Sequence, residues 1–365
     1  MSDSQQRISK HVMIMAAGTG GHVFPALAVA KQLQSEGAQV SWLATPQGME
    51  NRLLQDQKIP IYQIDIQGVR GNGILRKLMA PFKILKATFS AMRYMKQLKI
   101  DAVAGFGGYV AGPGGLAARL LGIPVIIHEQ NAVAGFTNIQ LSRIAKIVCQ
   151  AFPETFSPQS KVVTTGNPVR KEIAEILNPK WRYDQRAAAQ APLNILIVGG
   201  SLGAQALNER VPAVLKQFDM PLKVFHQCGQ KQLELTQSAY QGAPASLQVE
   251  VQPFITDMAK AYSDADLIIC RAGALTVTEV ATAGVAAIFV PLPIAVDNHQ
   301  TANARFLADL GAAKICQQAV MSPEYLKELL TPLLNRQLLT EMAVKARQQA
   351  QPNATQHVVD LIKKL

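Results

Sequence analysis

The chain has 365 residues, 48% of them hydrophobic and 17% charged, with a mean hydropathy of +0.10. That content supports buried cores and excludes a disordered polymer, and the length suits two domains of about 150–200 residues each. The formal net charge of +11 is lopsided, because residues 1–170 hold 18 Lys/Arg against 8 Asp/Glu while the remainder holds 18 against 17.

An acidic partner is therefore expected on the first half: a membrane surface, a nucleic acid or a phosphorylated substrate. No helix-turn-helix or aromatic-basic RNA motif accompanies the charge, so nucleic acid is set aside. Residues 1–10, "MSDSQQRISK", lack the apolar core of a signal peptide. The longest hydrophobic uncharged run, Val280–Val296, is broken by Gly284, Pro291 and Pro293, and no segment offers the roughly 20 apolar residues of a spanning helix. Cys149, Cys228, Cys270 and Cys316 are far apart, with no CxxC pairing. They read as small buried hydrophobes in a reducing, cytosolic compartment.

In chain order, "HVMIMAAGTGGHVFP" opens with a strand, a glycine turn and a helical pattern. Three glycines within four positions, Gly18, Gly20 and Gly21, need a reason such as positive φ or a ligand close to the backbone. The turn starts like a dinucleotide fingerprint, but Val23 holds the third glycine's place and the next strand ends without an acidic residue. It is no Walker A loop either. Free amides at a helix N-terminus still attract phosphate, and His22 beside them is a candidate functional residue.

Strands are expected at 38–44, 101–105, 123–127, 147–150, 222–226, 248–251, 267–270 and 286–290, with helices between most of them. Residues Gln67–Ile100 carry 8 Lys/Arg and no acid. Ile74, Leu75, Leu78 and Met79 beside Arg70, Arg76 and Lys77 form an expected membrane-facing loop. Pro81 is expected to start a helix that buries Phe82, Leu85, Phe89 and Met92. A second glycine cluster, "GFGGYVAGPGG" (105–115), suggests backbone packed on a ligand or a neighbouring loop.

The polar stretch Asn178–Pro192 marks a boundary at or before it, and "LNILIVGGSLGAQ" then repeats the strand, glycine turn and helix. Its Gly199-Gly200-Ser201-Leu202-Gly203 also matches the nucleophile elbow of α/β-hydrolases, with Asp266 and His299 as conceivable partners of Ser201. That alternative explains neither the first glycine turn nor the charge asymmetry. "CRAGALTVTEVATAG" (270–284) turns into a helix carrying Thr276, Thr278 and Glu279, suited to a diphosphate and to vicinal hydroxyls. "PLPIAVDNHQTANA" gathers Asp297, Asn298, His299, Gln300 and Asn303, a set suited to a sugar. No histidine has metal-ligand spacing, so no metal cofactor is expected. The fold class is α/β: two Rossmann-like, doubly wound domains facing across a cleft.

"GTGGHVFP", "GGYVAGPGG", "HEQN", "GNPVR", "GGSLGA", "RAGALTVTE" and "DNHQTANA" occur in the order seen in the MurG family of bacterial glycosyltransferases. The chain resembles that family over about 11–350. The resemblance implies a GT-B fold and inverting transfer of N-acetylglucosamine from UDP-N-acetylglucosamine to lipid I, giving lipid II in peptidoglycan synthesis. It implies a peripheral enzyme on the cytoplasmic face of the inner membrane, with other cell-wall synthesis proteins as further partners. The expected domains are 1–170 with about 345–365 for acceptor and membrane, and 171–344 for the donor. Other UDP-sugar transfer, or nucleotide-sugar binding without catalysis, are the alternatives.

Residue by residue, the resemblance puts Ser201 on a UDP phosphate, Arg170 by the nucleotide, and Phe254 and Ile255 on the uracil. Ala274, Leu275, Thr276, Val277, Thr278 and Glu279 would cradle the diphosphate, with Glu279 on the ribose. Gln300 and Asn303 would read the sugar hydroxyls, while Thr19, Gly20, Gly21, His22 and Asn131 close over the reacting sugar. The acceptor pyrophosphate would meet Gly18, Gly20, Gly21, Gly107, Gly108 and Tyr109. The sequence departs from the family at Ala17, Leu202 and His299. His22 is the candidate base, since histidine titrates near neutrality without tuning, and Glu129 of "HEQN" is its rival.

Overall fold

The computed structural model describes residues 10–66, 74–200, 202–293 and 298–365, with side chains from 79 onward in the helix that starts at 74. Ser201, Asp297 and the side chains of Ile74, Leu75, Arg76, Lys77 and Leu78 lie outside the described residues. The chain forms two units, Met1–Val169 with Pro352–Leu365, and Arg170–Gln351.

The first unit contains β1 (His11–Ala16), β2 (Gln39–Ala44), β3 (Ile61–Gln63), β4 (Ala102–Gly107), β5 (Val125–Glu129), β6 (Ile147–Gln150) and β7 (Val162–Thr164). They form one sheet in the order β3-β2-β1-β4-β5-β6-β7, with every pairing parallel. Alternate residues of β1 enter cores on opposite faces: Val12, Ile14 and Ala16 on one, Met13 and Met15 on the other. A strand apolar at every position is therefore buried on both sides, as parallel sheets require.

The second unit contains β8 (Leu193–Val198), β9 (Leu222–Gln227), β10 (Leu247–Gln252), β11 (Leu267–Cys270), β12 (Ala286–Phe289) and β13 (Ala313–Ile315), ordered β10-β9-β8-β11-β12-β13 and again parallel. Both sheets thus have the Rossmann order, and the direction of winding reverses between β1 and β4 and between β8 and β11. Crevices for ligands open at the carboxyl ends of strands at such switch points. The architecture is the α/β GT-B fold.

The first unit is discontinuous in sequence, because it takes in the last residues of the chain. The helix Ala354–Lys363 returns to it, burying Val358, Val359, Leu361 and Ile362 in the core beside β1. Gln32 Nε2 donates to Gln356 Oε1 at 2.9 Å, and Lys363 pairs with Glu36. All four cysteines are buried free thiols.

One region departs from expectation. Helix Ile74–Leu98 contains Pro81 rather than starting at it. Phe82, Leu85 and Phe89, expected in the core, are 73%, 53% and 61% exposed. Among its described side chains the buried ones are Ala80, Ala87, Thr88, Ala91 and Met95. Small side chains at helical spacing let this helix lie close on Ala111–Leu120, itself rich in Gly and Ala, so the large residues take the outer face. The spacing rule found a stripe but chose it by size, whereas close packing selected the alanines.

Candidate active site

In the first unit, the turns after β1 and β4 meet at the switch point. Gly18 (φ +100°), Gly107 (+101°) and Gly108 (+79°) occupy the left-handed half of backbone space, which side chains disfavour. A Cβ on Gly107 would lie 2.8 Å from His22 Nδ1, and one on Gly108 would run into the Ala17 carbonyl oxygen. These glycines therefore bring one turn against the other and against the His22 ring. Thr19 is the N-cap of the helix Gly20–Ser35, and its carbonyl accepts from the His22 and Val23 amides at 3.0 and 3.2 Å. His22 sits half-buried on the first turn. The dipole and the outward amides of that turn favour an anion.

Gly18 was expected to serve the acceptor pyrophosphate. Its N–H instead donates to Glu50 Oε2 at 3.3 Å. Glu50 is fully buried and also accepts from the Thr45 amide and hydroxyl at 2.9 and 3.0 Å. A carboxylate therefore anchors the turn from beneath, which leaves Gly20 and Gly21 as the first-turn positions for a phosphate. Tyr109 is 54% exposed just before the next helix.

Glu129 is likewise assigned a different task from the one expected of a base. It is buried at the end of β5 and accepts from the Asn131 amide (3.0 Å), Asn131 Nδ2 (3.2 Å), the Gly135 amide (3.0 Å) and Asn138 Nδ2 (2.8 Å). Four donors occupy its lone pairs, so it shapes the 131–135 loop and holds Asn131 in place. His22 remains the candidate base. Its Nδ1 lies 3.0 Å from Gln130 Oε1, a partner that the sequence reading missed although Gln130 lies within "HEQN". Behind it His128 stacks on Phe106, and burial pushes its pKa down to about 4.

In the second unit, the turns after β8 and β9 interlock in the same way. A Cβ on Gly203 (φ +78°) would overlap the Cys228 carbonyl, and one on Gly229 (+87°) would sit 2.7 Å from the Leu202 oxygen. Gln227 Nε2 donates to the Gly200 and Pro253 carbonyls, both at 3.0 Å. Leu202 itself is 90% exposed, so its side chain takes no part in the turn's packing.

After β11, Gly273 caps the helix Ala274–Ala283. Val277 and Thr278 face inward, and the Thr278 hydroxyl donates to the Ala274 carbonyl at 2.9 Å. Of the expected cradle, this leaves the first-turn backbone and the Leu275, Thr276 and Glu279 side chains on the open side. Glu279 pairs with Arg170 at 3.0 Å and accepts from the Tyr262 hydroxyl at 3.0 Å. Burial raises its pKa, while the Arg170 charge and both hydrogen bonds oppose the rise.

Phe254 is largely exposed and Ile255 buried beside it. Gln300 Oε1 accepts from the Leu292 amide at 2.9 Å. Asn303, expected to read sugar hydroxyls, is fully buried and donates to the Ala272 carbonyl at 3.2 Å. It thus steadies the turn that leads into the cradle. Arg271 was also missed: it donates to the Val290 carbonyl (3.1 Å) and to Gln318 Oε1 (2.6 Å), fixing the segment after β12.

Asp266 does not serve the hydrolase alternative. Asp266 precedes β11, at the amino end of the sheet, where it pairs with Arg186 and Arg336. Gly200 and Leu202 flank the carboxyl end of β8, the opposite edge. No group of three or more metal-ligating side chains occurs among the described residues.

Two Rossmann units of GT-B type, with glycine turns and helix N-termini at both switch points, suit a protein that handles a phosphate-bearing nucleotide ligand. Residues 12–150 match the glycosyltransferase family 28 N-terminal domain and residues 194–361 its C-terminal domain. The chain belongs to glycosyltransferase family 28. It is 80% identical, over all 365 residues and the full length of both chains, to the UDP-N-acetylglucosamine–N-acetylmuramyl-(pentapeptide) pyrophosphoryl-undecaprenol N-acetylglucosamine transferase of Acinetobacter baumannii strain ATCC 17978. The protein of that name from Psychrobacter arcticus is 51% identical over 356 residues, covering 96% of this chain and 98% of its own. The crystal structure of Acinetobacter baumannii MurG superposes with a TM-score of 0.88 at 78% identity, covering 98% of this chain and all of that one.

Proposed function

We propose that this chain transfers N-acetylglucosamine from UDP-N-acetylglucosamine to the N-acetylmuramoyl 4-hydroxyl of undecaprenyl-pyrophosphoryl-N-acetylmuramoyl-pentapeptide. Identity along the whole length to a relative named for this transfer carries the reading. The second unit takes the donor. The N-terminus of helix Ala274–Ala283, with Ser201, receives the diphosphate, and Glu279 accepts from the ribose hydroxyls in place of its present partners. Phe254 and Ile255 take the uracil, and Gln300 a sugar hydroxyl.

The first unit takes the acceptor, with its pyrophosphate at Gly20 and Gly21. His22 Nε2 takes the proton of the 4-hydroxyl as that oxygen bonds to the anomeric carbon from the face opposite UDP. The bond from that carbon to the phosphate oxygen breaks, and UDP leaves with its electron pair, so the configuration inverts. Helix dipoles and amides stabilise the charge on the leaving diphosphate. The test is UDP release with and without a lipid-I-like acceptor. Acceptor-dependent release, much slower with UDP-N-acetylgalactosamine, is expected; release indifferent to acceptor overturns the reading.

We further propose that the chain works on the cytoplasmic face of the inner membrane, held by helix Ile74–Leu98. Among the described residues no helix is long and apolar enough to cross a membrane. Met79, Phe82, Leu85 and Phe89 are exposed, as are Lys83 and Lys86 beside them. Apolar groups among cations suit an anionic bilayer surface, to which each cation contributes about 1 kcal/mol. Phe82→Ser with Phe89→Ser, or Arg76→Glu with Lys77→Glu, should weaken pelleting with anionic vesicles. Unchanged pelleting of both pairs contradicts the assignment.

A further inference from the structure

The hydrogen bonds behind His22 have a direction that the geometry determines. Gln130 is buried, and its Nε2 lies 2.9 Å from the Phe106 carbonyl oxygen and 3.3 Å from that of His128. A carbonyl oxygen only accepts, so the amide nitrogen must face these groups; a flipped amide would set oxygen against oxygen. Gln130 Oε1 is therefore the atom 3.0 Å from His22 Nδ1. Being an acceptor only, it requires a proton on that nitrogen.

The far end of the network agrees. His128 Nε2 lies 2.9 Å from the Gly166 carbonyl, so that nitrogen carries the His128 proton. His128 Nδ1 is then an acceptor, and Gln130 Nε2 stands 3.3 Å from it. Burial keeps His128 neutral above pH of about 4, so its acceptor face persists wherever the protein is folded near neutrality. Every amide and ring orientation in the chain from Gly166 to His22 thus follows from carbonyl oxygens that cannot reverse.

We infer that Gln130 is a positioning residue that fixes the tautomer of His22, holding the proton on Nδ1 and the lone pair on Nε2. This inference rests on the reading of His22 as the base, because only then does the tautomer matter for the rate. Gly107 supports the same arrangement from the other side, since its bare backbone lets the ring sit where Nδ1 reaches Gln130. The partner is a neutral amide rather than a carboxylate. It accepts from the imidazole with one end and donates to the Phe106 carbonyl with the other, which a carboxylate could not do.

The test is the 15N spectrum of histidine-labelled enzyme at alkaline pH, with His22 assigned through His22→Gln. A His22 signal with the proton on Nδ1 is expected; a proton on Nε2 overturns the inference, whatever the activity. In Gln130→Met the acceptor is gone, so the Nε2–H form should become populated. The kcat should then fall about tenfold or more, within the ~10²–10⁴ that a general base contributes, with the KM for UDP-N-acetylglucosamine unchanged. An unaltered tautomer in Gln130→Met also overturns the inference, and if that variant does not fold the wild-type spectrum decides. If His22→Ala keeps kcat within tenfold while the spectrum shows Nδ1–H, the base reading fails and the tautomer assignment stands.

Discussion

The two units use the same backbone device beside their switch points and differ in the side chains gathered there. In both, positive-φ glycines press one turn against its neighbour: Gly108 against Ala17 across the first switch point, and Gly203 after β8 against Cys228 after β9, beside the second. The side chains hydrogen-bonded behind His22 are neutral, an amide and a second imidazole ending on carbonyls in a chain of fixed direction, while the nearby carboxylates of Glu50 and Glu129 are taken up by donors of the loops they anchor. Around Glu279 the polar groups are charged, a carboxylate shared by a guanidinium and a phenol. A group that must accept a proton benefits from a surrounding that sets its geometry without adding charge. On the proposed reading, the Glu279 carboxylate offers acceptor oxygens to the ribose hydroxyls.

The contrast can be broken at its catalytic end first. His22→Ala should lower kcat by about 10²–10⁴ with unchanged circular dichroism; a loss below tenfold removes His22 from the base role. At the charged end, Glu279→Ala should instead raise the KM for UDP-N-acetylglucosamine by roughly 10–100-fold, the worth of hydrogen bonds to a charged acceptor. Because burial raises the Glu279 pKa, that KM should also rise as pH falls through the acid limb, when the carboxyl protonates. A KM flat with pH in wild type would separate Glu279 from donor binding.

A third prediction treats the units as equals, since each holds one buried neutral histidine. Burial lowers the pKa of His128 to about 4 and of His226 to about 3, against an ordinary 6.5. Between those values the unfolded chain binds more protons than the folded one, so stability rises with pH. Acidification below about pH 6.5 should therefore cost each unit about 1.4 kcal/mol per pH unit, seen as a falling urea midpoint. A midpoint constant from pH 6.5 to 5 would contradict this. The smallest effect is expected from Gly107→Ala: displacing the His22 ring should reduce kcat about fivefold to tenfold and leave donor KM alone. An equal change in both parameters would mean that the loop, rather than the ring, had been disturbed.

Much of this was legible because long buried strands and glycine turns leave strong local patterns. The apolar runs that became β1 and β8 and the turns after them could be located from the residues alone. β3, β7 and β13 could not, since a three-residue edge strand is too short to show a period. The outer face of helix Ile74–Leu98 was misassigned because hydrophobic spacing does not record which stripe finds a partner. Glu50 and Tyr262 left no signal, and Gln130 only its place in "HEQN", because each acts through contacts with residues distant in sequence. Asn303 and Glu129 lie in stretches that the sequence marks as sites, yet their side chains support the backbone. A motif thus locates a site more reliably than it assigns each side chain's task.

The most direct test of the account is to follow the sugar itself. Enzyme incubated with UDP-N-acetylglucosamine labelled in the sugar, with an undecaprenyl-pyrophosphoryl-N-acetylmuramoyl-pentapeptide acceptor, should move the label into lipid-extractable product. The new bond should have β configuration at the anomeric carbon. Label that stays in the water phase as free N-acetylglucosamine, or a product with retained α configuration, would contradict it.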